Sequence, residues 1–336
     1  MNFGRRLLER RLATGLTQAR LAEIAGVSRA LVSAVEGGRH LPRVDAALAL
    51  ASALGTTADA LFGRPGAPAV DALSGEAPAP GAPVRVSFVG EQTVSATVFP
   101  ADSGLKIVDG LAGELDAGSL GDGRPSAVVA GCEPGLVLLE RMLRERGVRA
   151  LAIGASSAGA LAALRAGRLH AAAVHYREGE PPPDDDLAAA RFRLARWRVG
   201  LAAPHGSKRA WWRSALSGRD QVIQREPGAS VQAAFERALD GRRREVAGPR
   251  ANGHFAAVRH SLASGLPAVT IEPAAAAAGA DFHALETHDV ELWVAVSRLA
   301  EPGVERLVEL IGSATYHRSL SSVGAYELSG VGSRVA

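Results

Sequence analysis

Cysteine is almost absent from this chain: Cys132 stands alone among 336 residues. A single cysteine cannot close an internal disulfide, nor can it supply a thiolate-rich zinc module. Aromatic residues make up only 4%, too few for ladders of side chains stacking on single-stranded nucleic acid. Lysine is nearly missing as well; apart from Lys106 and Lys208 every basic residue is arginine, a pattern expected of compositional bias. No apolar run approaches the roughly 18 residues of a membrane span; even Ala274–Ala278 is stopped by Pro273 and Gly279. The opening MNFGRRLLERRL is charged and has no apolar signal core. These absences predict a soluble, reduced, cytoplasmic protein.

What is present suffices for globular domains. Apolar residues are 47% and charged residues 22%, and at roughly 150 residues per domain the length predicts about two domains. The net charge of +3 is unevenly spread. Residues 1–65 carry nine arginines against five acidic residues, and the remainder is close to neutral. A basic N-terminal module beside a neutral body points to nucleic acid at one end.

The chain divides into four stretches. Residues 1–65 read as short helices, with Leu7, Leu8, Leu12 and Leu16 on one apolar face. Residues 66–83 lie in GRPGAPAVDALSGEAPAPGAP, whose Pro, Gly and Ala content predicts a linker. Residues 84–125 open with two alternating runs at 84–90 and 93–99, read as strands. From 126 to 336, apolar runs alternate with helical stretches. Strands are expected at SAVVAG, ALAIGA, HAAAVH, RFRLARWRVGLAA, QVIQR, PAVTIE and ELWVAVS, with helices near 135–146, 157–166, 207–216, 229–240, 253–264 and 303–312. That alternation predicts an α/β domain with mostly parallel sheets.

Residues 16–55 carry the sharpest pattern. Thr17 is placed to cap one helix and Ser28 a second, while Gly26 supplies a left-handed turn position between them. Two short helices joined by a Gly-containing turn make a helix-turn-helix. The pattern TQxxLAxxAGVSxxxVSxxE, from Thr17 to Glu36, resembles the lambda-repressor-like (XRE) helix-turn-helix family. The resemblance implies that Arg29 and Ala30 face base edges, with Ser33 and Ala34 further along that face. It places Gln18, Ser28, Arg39 and Arg43 at phosphates, contacts that set register rather than sequence. Glu36 is expected to pair within the fold. One such module reads little DNA, so a homodimer on a two-fold operator is expected.

From Ser126 onward the chain resembles the periplasmic-binding-protein-like domain related to molybdate-binding proteins. The resemblance rests on AGCEPGLVLLERML, GASSAGALAALRAGRLHAAAVHY, VIQREPGASVQAAFERAL and residues 252–286. It implies a two-lobed α/β sensor, giving an N-terminal all-α domain followed by a two-lobed domain, and a one-component transcription regulator. Strand ends open into helix N-termini at Cys132–Pro134, Ser156–Ala158 and Gly228–Val231, where free N–H groups favour a polar or anionic ligand. Ser156, Ser157 and Ser230 add hydroxyls. Glu133 at the first helix end repels an oxyanion and suits an amine, hydroxyl or cation, unless it only neutralises the helix end. His175, Arg198, Arg225 and His254 are expected to restore positive character. The effector is thus a molybdate- or tungstate-like oxyanion or a small polar metabolite.

Other readings are weaker. Cys132 with His175 or His254 has the composition of a nucleophile and base, but a lone cysteine at a strand end is more often a small apolar residue. No catalytic function, cofactor or metal is expected, because the histidines show none of the tight spacings of ligand motifs. PPPDDD (181–186) reads as a solvated loop and GRRRE (241–245) as an exposed basic patch. Trp197 is expected in the core or on the cleft wall.

Overall fold

The computed structural model describes residues 3–62, 69–98, 108–115, 123–239 and 246–335. Its contacts divide the chain into two compact units, one containing the N-terminal helices and one containing Pro125–Ala336. Among the described residues no helix is long and apolar enough to cross a membrane. The basic run 241–245 lies outside them.

The N-terminal helices are α1 (Phe3–Ala13), α2 (Gln18–Ala25), α3 (Arg29–Glu36), α4 (Val44–Ala53) and α5 (Ala58–Phe62). Thr17 caps α2 by accepting from Arg20 N, and Ser28 caps α3 by accepting from Leu31 N, each at 3.1 Å. Gly26 ends α2 at φ 63°, ψ 29°, a region glycine occupies without steric cost. Leu7, Leu21, Val32, Val35, Leu50 and Leu61 form the core. Leu12 departs from expectation and is exposed. The buried side of α1 runs through Gly4, Leu7 and Arg11, so position 12 falls beside that stripe rather than on it.

A four-stranded sheet follows in the chain, from β1 (Val70–Asp71), β2 (Pro83–Val89), β3 (Gln92–Thr97) and β4 (Gly110–Leu111), ordered β1-β3-β2-β4. The two strands expected at 84–90 and 93–99 are β2 and β3, with Phe99 outside the described residues. The stretch read as a linker, 66–83, is described only from residue 69, where it contributes β1.

The C-terminal unit contains β5 (Ser126–Gly131), α6 (Leu136–Glu145), β6 (Arg149–Gly154), α7 (Ser157–Arg165), β7 (Ala171–Arg177), β8 (Ala189–Ala203), α8 (Trp212–Leu216) and β9 (Gln224–Arg225). There follow α9 (Ser230–Ala238), β10 (Arg250–Ala251), α10 (His254–Ser264), β11 (Ala268–Ile271), α11 (Glu272–Ala277), β12 (Asp281–Ala295), α12 (Pro302–Ile311), α13 (Ala314–Val323) and β13 (Arg334–Val335). The main sheet runs β11-β8-β12-β7-β5-β6, with β13 against β8, and β9 pairs separately with β10.

The expectation of a mostly parallel sheet is corrected. In the main sheet β5 pairs in parallel with β6 and β7, but β7–β12, β12–β8, β8–β11 and β8–β13 are antiparallel. The cause is the pair β8 and β12, each 15 residues long, lying side by side from Asp281↔Ala203 to Ala295↔Ala189. One end of this ribbon carries β7 and the other β11, so both halves of the domain hang on it. The first ten residues of β12, DFHALETHDV, are half-buried almost throughout and show no apolar run, which hides them from a reading by hydrophobicity. β5 and β7 approach closely at Gly131, where a Cβ would lie 2.2 Å from the Ala173 carbonyl oxygen.

Candidate functional site

The residues expected to face DNA divide by exposure. Ser28, Arg29, Ala30, Arg39 and Arg43 are exposed, whereas Ser33 and Ala34 are half-buried. Gln18 is half-buried, and its amide gives one of its two N–H groups to Glu36 at 2.8 Å. Glu36 also takes two hydrogen bonds from the Arg11 guanidinium, at 2.6 and 3.1 Å, and so pairs within the fold. Anchored in this way, Glu36 ties α1 and α2 to α3 and leaves the N-terminal turn of α3 outward.

In the C-terminal unit, strand ends and helix starts converge. Cys132 and Glu133 follow β5, Ser156 follows β6 and starts α7, His175 lies on β7, and His288 lies on β12. Arg225 ends β9, while Ser230 and His254 open α9 and α10. Ligands of open α/β sheets gather at the carboxyl ends of strands, and Cys132 and Ser156 stand there. A cavity of about 600 Å³ is lined by Cys132, Glu133, Ser156, Arg225, Asn252 and His254 among others. A second, of about 540 Å³, is lined by Ser157, His175, Ser230, Arg237 and His288 among others. Both volumes suit small ligands.

Between them runs a chain of buried polar contacts. Arg225, 1% exposed, donates twice to Glu226, at 2.7 and 2.9 Å, and once to His254 Nδ1 at 2.6 Å. A guanidinium only donates, so His254 Nδ1 accepts and its proton sits on Nε2. That Nε2–H points at Cys132 Sγ, 2.9 Å away. The second chain starts at Glu286, held ionised below the usual carboxylate range chiefly by Arg237. Glu286 accepts from His288 Nε2 at 3.2 Å, leaving His288 Nδ1 to accept from His175 Nδ1 at 3.0 Å. His175 therefore turns a lone pair at Nε2 toward Ser230 Oγ, 3.1 Å away. Trp197, buried beside it, meets the His175 ring edge-on at 5.5 Å.

Burial dominates the electrostatics. It keeps His175 and His254 well below their ordinary pKa, with His288 and Arg225 adding to the shift at His175 and Arg225 and His175 at His254. Both rings are neutral near pH 7. Burial also pushes the Cys132 thiol up to about 11 against a partial offset from Arg225. The Glu133 carboxyl rises to about 7 for the same reason, although Gly135 N and Tyr326 OH donate to its Oε1 at 2.6 and 2.9 Å. Its Oε2 has no partner among the described residues.

Most ligand candidates thus come together: Cys132, His175, Arg225, Ser230 and His254 in one cluster, with Glu133 and Ser156 on the larger cavity and Ser157 on the smaller. Arg198 does not join them. It follows Trp197 on β8, where successive side chains face opposite ways, and it pairs with Glu272 on an exposed surface. The serine hydroxyls are engaged: Ser156 caps α7 through Gly159 N, Ser157 Oγ accepts from His175 N, and Ser230 bonds the His175 ring. Glu286 was not singled out in the sequence, and His288 stood out only as one of several histidines without ligand spacing, since that part of β12 shows no strand signal. Cys132 Sγ and one nitrogen each of His175 and His254 also lie within 4.8 Å of one another, a donor set able to hold a metal ion. Their wide sequence separation, 122 residues between Cys132 and His254, conceals it.

A helix-turn-helix domain model matches residues 2–61, and a PBP superfamily domain model matches residues 140–312, just over half of the chain. No match to a curated protein was found. Among solved structures, the restriction-modification controller protein C.AhdI from Aeromonas hydrophila is 42% identical over 18% of this chain and 91% of its own, with a TM-score of 0.17. An ABC-type phosphate transport receptor from Vibrio cholerae is 10% identical over 60% of this chain and 99% of its own, at 0.43. A full-length OxyR variant from Pseudomonas aeruginosa is 14% identical over 59% and 67%, also at 0.43. The chain belongs to the PBP superfamily and carries a helix-turn-helix domain at its N-terminus.

Proposed function

We propose that the protein is a one-component transcription regulator of the cytoplasm. Its helix-turn-helix binds a two-fold operator as a homodimer, and its C-terminal domain takes a small solute whose occupancy sets operator affinity. The observation that carries this reading is the pairing, in one chain, of an exposed helix-turn-helix reading face with a half-open cavity at the strand ends of a PBP-type domain, mostly apolar in its walls but with Cys132, Glu133, Ser156, Arg225 and His254 set into them. A coupling of about 1–3 kcal/mol is enough to change operator affinity about 5- to 150-fold. An exposed apolar patch of Leu41, Val44 and Leu48, at 55%, 76% and 58%, supports dimerisation through α4, since Val44 and Leu48 share one face.

The cavity suits a polar solute that is not a dianion. Arg225 is already matched by Glu226, the Ser230 hydroxyl donates to the His175 ring, and the Glu133 carboxyl occupies the α6 end. Molybdate or tungstate would find its positive charge spent elsewhere. Binding rather than turnover also fits the cysteine: with Arg225 on Nδ1, His254 offers Cys132 a proton instead of a base. Thermal-shift screening of the full chain against molybdate, tungstate, sulfate, phosphate, amino acids and polyamines tests this. A stabilising solute at 100 times its Kd adds about 2.7 kcal/mol, and the same solute must then shift operator affinity. A shift confined to molybdate and tungstate overturns the solute class; unchanged operator affinity at saturation overturns the coupling.

A further inference from the structure

We infer that Cys132, His175 and His254 form a binding site for one borderline-soft divalent cation of the zinc type, open on its fourth side to the larger cavity. This rests on the cleft being the effector site only for its regulatory consequence; the binding itself does not. The three donor atoms already lie within 4.8 Å of one another. In a tetrahedral zinc site, with bonds of about 2.3 Å to sulfur and about 2.0–2.1 Å to nitrogen, donors stand about 3.3–3.7 Å apart. The adjustment needed is therefore about an ångström: His254 Nε2 and Cys132 Sγ, now 2.9 Å apart, separate slightly, and His175 closes in.

On the His175 side the surroundings are arranged as such a site requires, whereas on the His254 side Arg225 now occupies Nδ1 and has to withdraw. A ligating histidine donates its other ring N–H to an acceptor that fixes the tautomer, with a carboxylate behind it. His175 does so through His288 to Glu286, which aims the Nε2 lone pair at the cluster. One thiolate and two imidazoles select zinc-like ions over magnesium or calcium, which demand oxygen donors. The larger cavity meets Cys132 and His254, leaving a place for water or a solute as fourth ligand. Charge and protons balance: the cation enters, the Cys132 thiol loses its proton to solvent, and the His254 proton moves from Nε2 to Nδ1. Arg225 then gives up its bond to Nδ1 and keeps both bonds to Glu226. Ser230 Oγ releases the His175 lone pair and turns to the smaller cavity, which it also lines.

Cobalt(II) titration of the chelator-stripped full chain tests the assignment. One equivalent is expected to produce tetrahedral d–d bands and a thiolate-to-cobalt charge-transfer band, with one proton released per ion, and zinc(II) is expected to bleach the bands. In Cys132→Ser the charge-transfer band disappears. His288→Gln, which leaves all three ligands in place, weakens binding about 10- to 100-fold. No stoichiometric bands, or a charge-transfer band that survives in Cys132→Ser, overturns the inference. If a polar metabolite shifts operator affinity while cobalt gives no thiolate band, the metal site fails and the regulator reading stands. If the bands form but zinc leaves operator affinity unchanged, the site stands and its role as effector falls.

Discussion

Glu133 is a carboxyl held where its charged form is poorly supported. It sits buried at the start of α6 with one oxygen bonded and the other without a partner among the described residues. Its carboxyl moves from 4.5 to about 7, so the folded chain keeps the proton that the unfolded chain loses. The stabilisation is complete below pH 4.5 and is lost as pH rises through about 7. On linkage it amounts to about 3 kcal/mol. The buried histidines act with the opposite sign: held neutral in the fold, they add stability as pH climbs toward 6.5. Glu133→Gln separates the two effects. Denaturant unfolding from pH 5 to 8 is expected to show the variant gaining about 2–3 kcal/mol on the parent chain, and parallel profiles would refute the role. At the other site, Arg29 stands exposed at the first position of α3. Arg29→Ala should cost about 1–3 kcal/mol of operator binding and relax the preference at one base pair. Arg39→Ala should weaken all sequences alike and flatten the salt dependence; equal behaviour of the two variants would sink the base-reading role.

At the scale of elements, the helix-turn-helix was legible because its signals are local. Thr17, Gly26 and Ser28 act on backbone groups within four residues of themselves, and such contacts do not depend on the rest of the chain. The strand–helix units β5–α6, β6–α7 and β7 were legible for the same reason, each an apolar run ending at a turn. The first ten residues of β12, Asp281 to Val290, were not, because they are held by pairing with β8 rather than by their own hydrophobicity. The packing of β5 on β7 is equally a matter of contact. Gly131→Ala places a methyl 2.2 Å from the Ala173 carbonyl oxygen and 2.7 Å from its Cβ. Such overpacking costs about 1–3 kcal/mol. Thermal unfolding of the variant should show a Tm lower by about 2–4 °C per kcal/mol, and an unchanged Tm would mean that the two strands part without penalty.

For the whole molecule, the proposed operator binding as a homodimer is open to test at α4. Leu48→Glu puts a charge into the exposed apolar patch on α4 and is expected to shift the chain toward monomer in sedimentation, with a parallel loss of operator affinity. A monomeric parent chain would overturn the homodimer, and an unaltered dimer in the variant would place the contact elsewhere. Composition and local pattern by themselves determined that this chain carries a helix-turn-helix followed by an α/β domain, because caps, turns and hydrophobic periodicity operate over a few residues. They also picked out Cys132, His175, Arg225, Ser230 and His254, since these stand at strand ends and helix starts. Only the tertiary structure decided what those residues are to one another. It put Arg198 outside, brought Glu286 and His288 in behind His175, and set His254 between Arg225 and Cys132. Proton positions and donor distances depend on side chains more than a hundred residues apart, brought within hydrogen-bonding reach by the β8–β12 ribbon, and no short-range pattern encodes them.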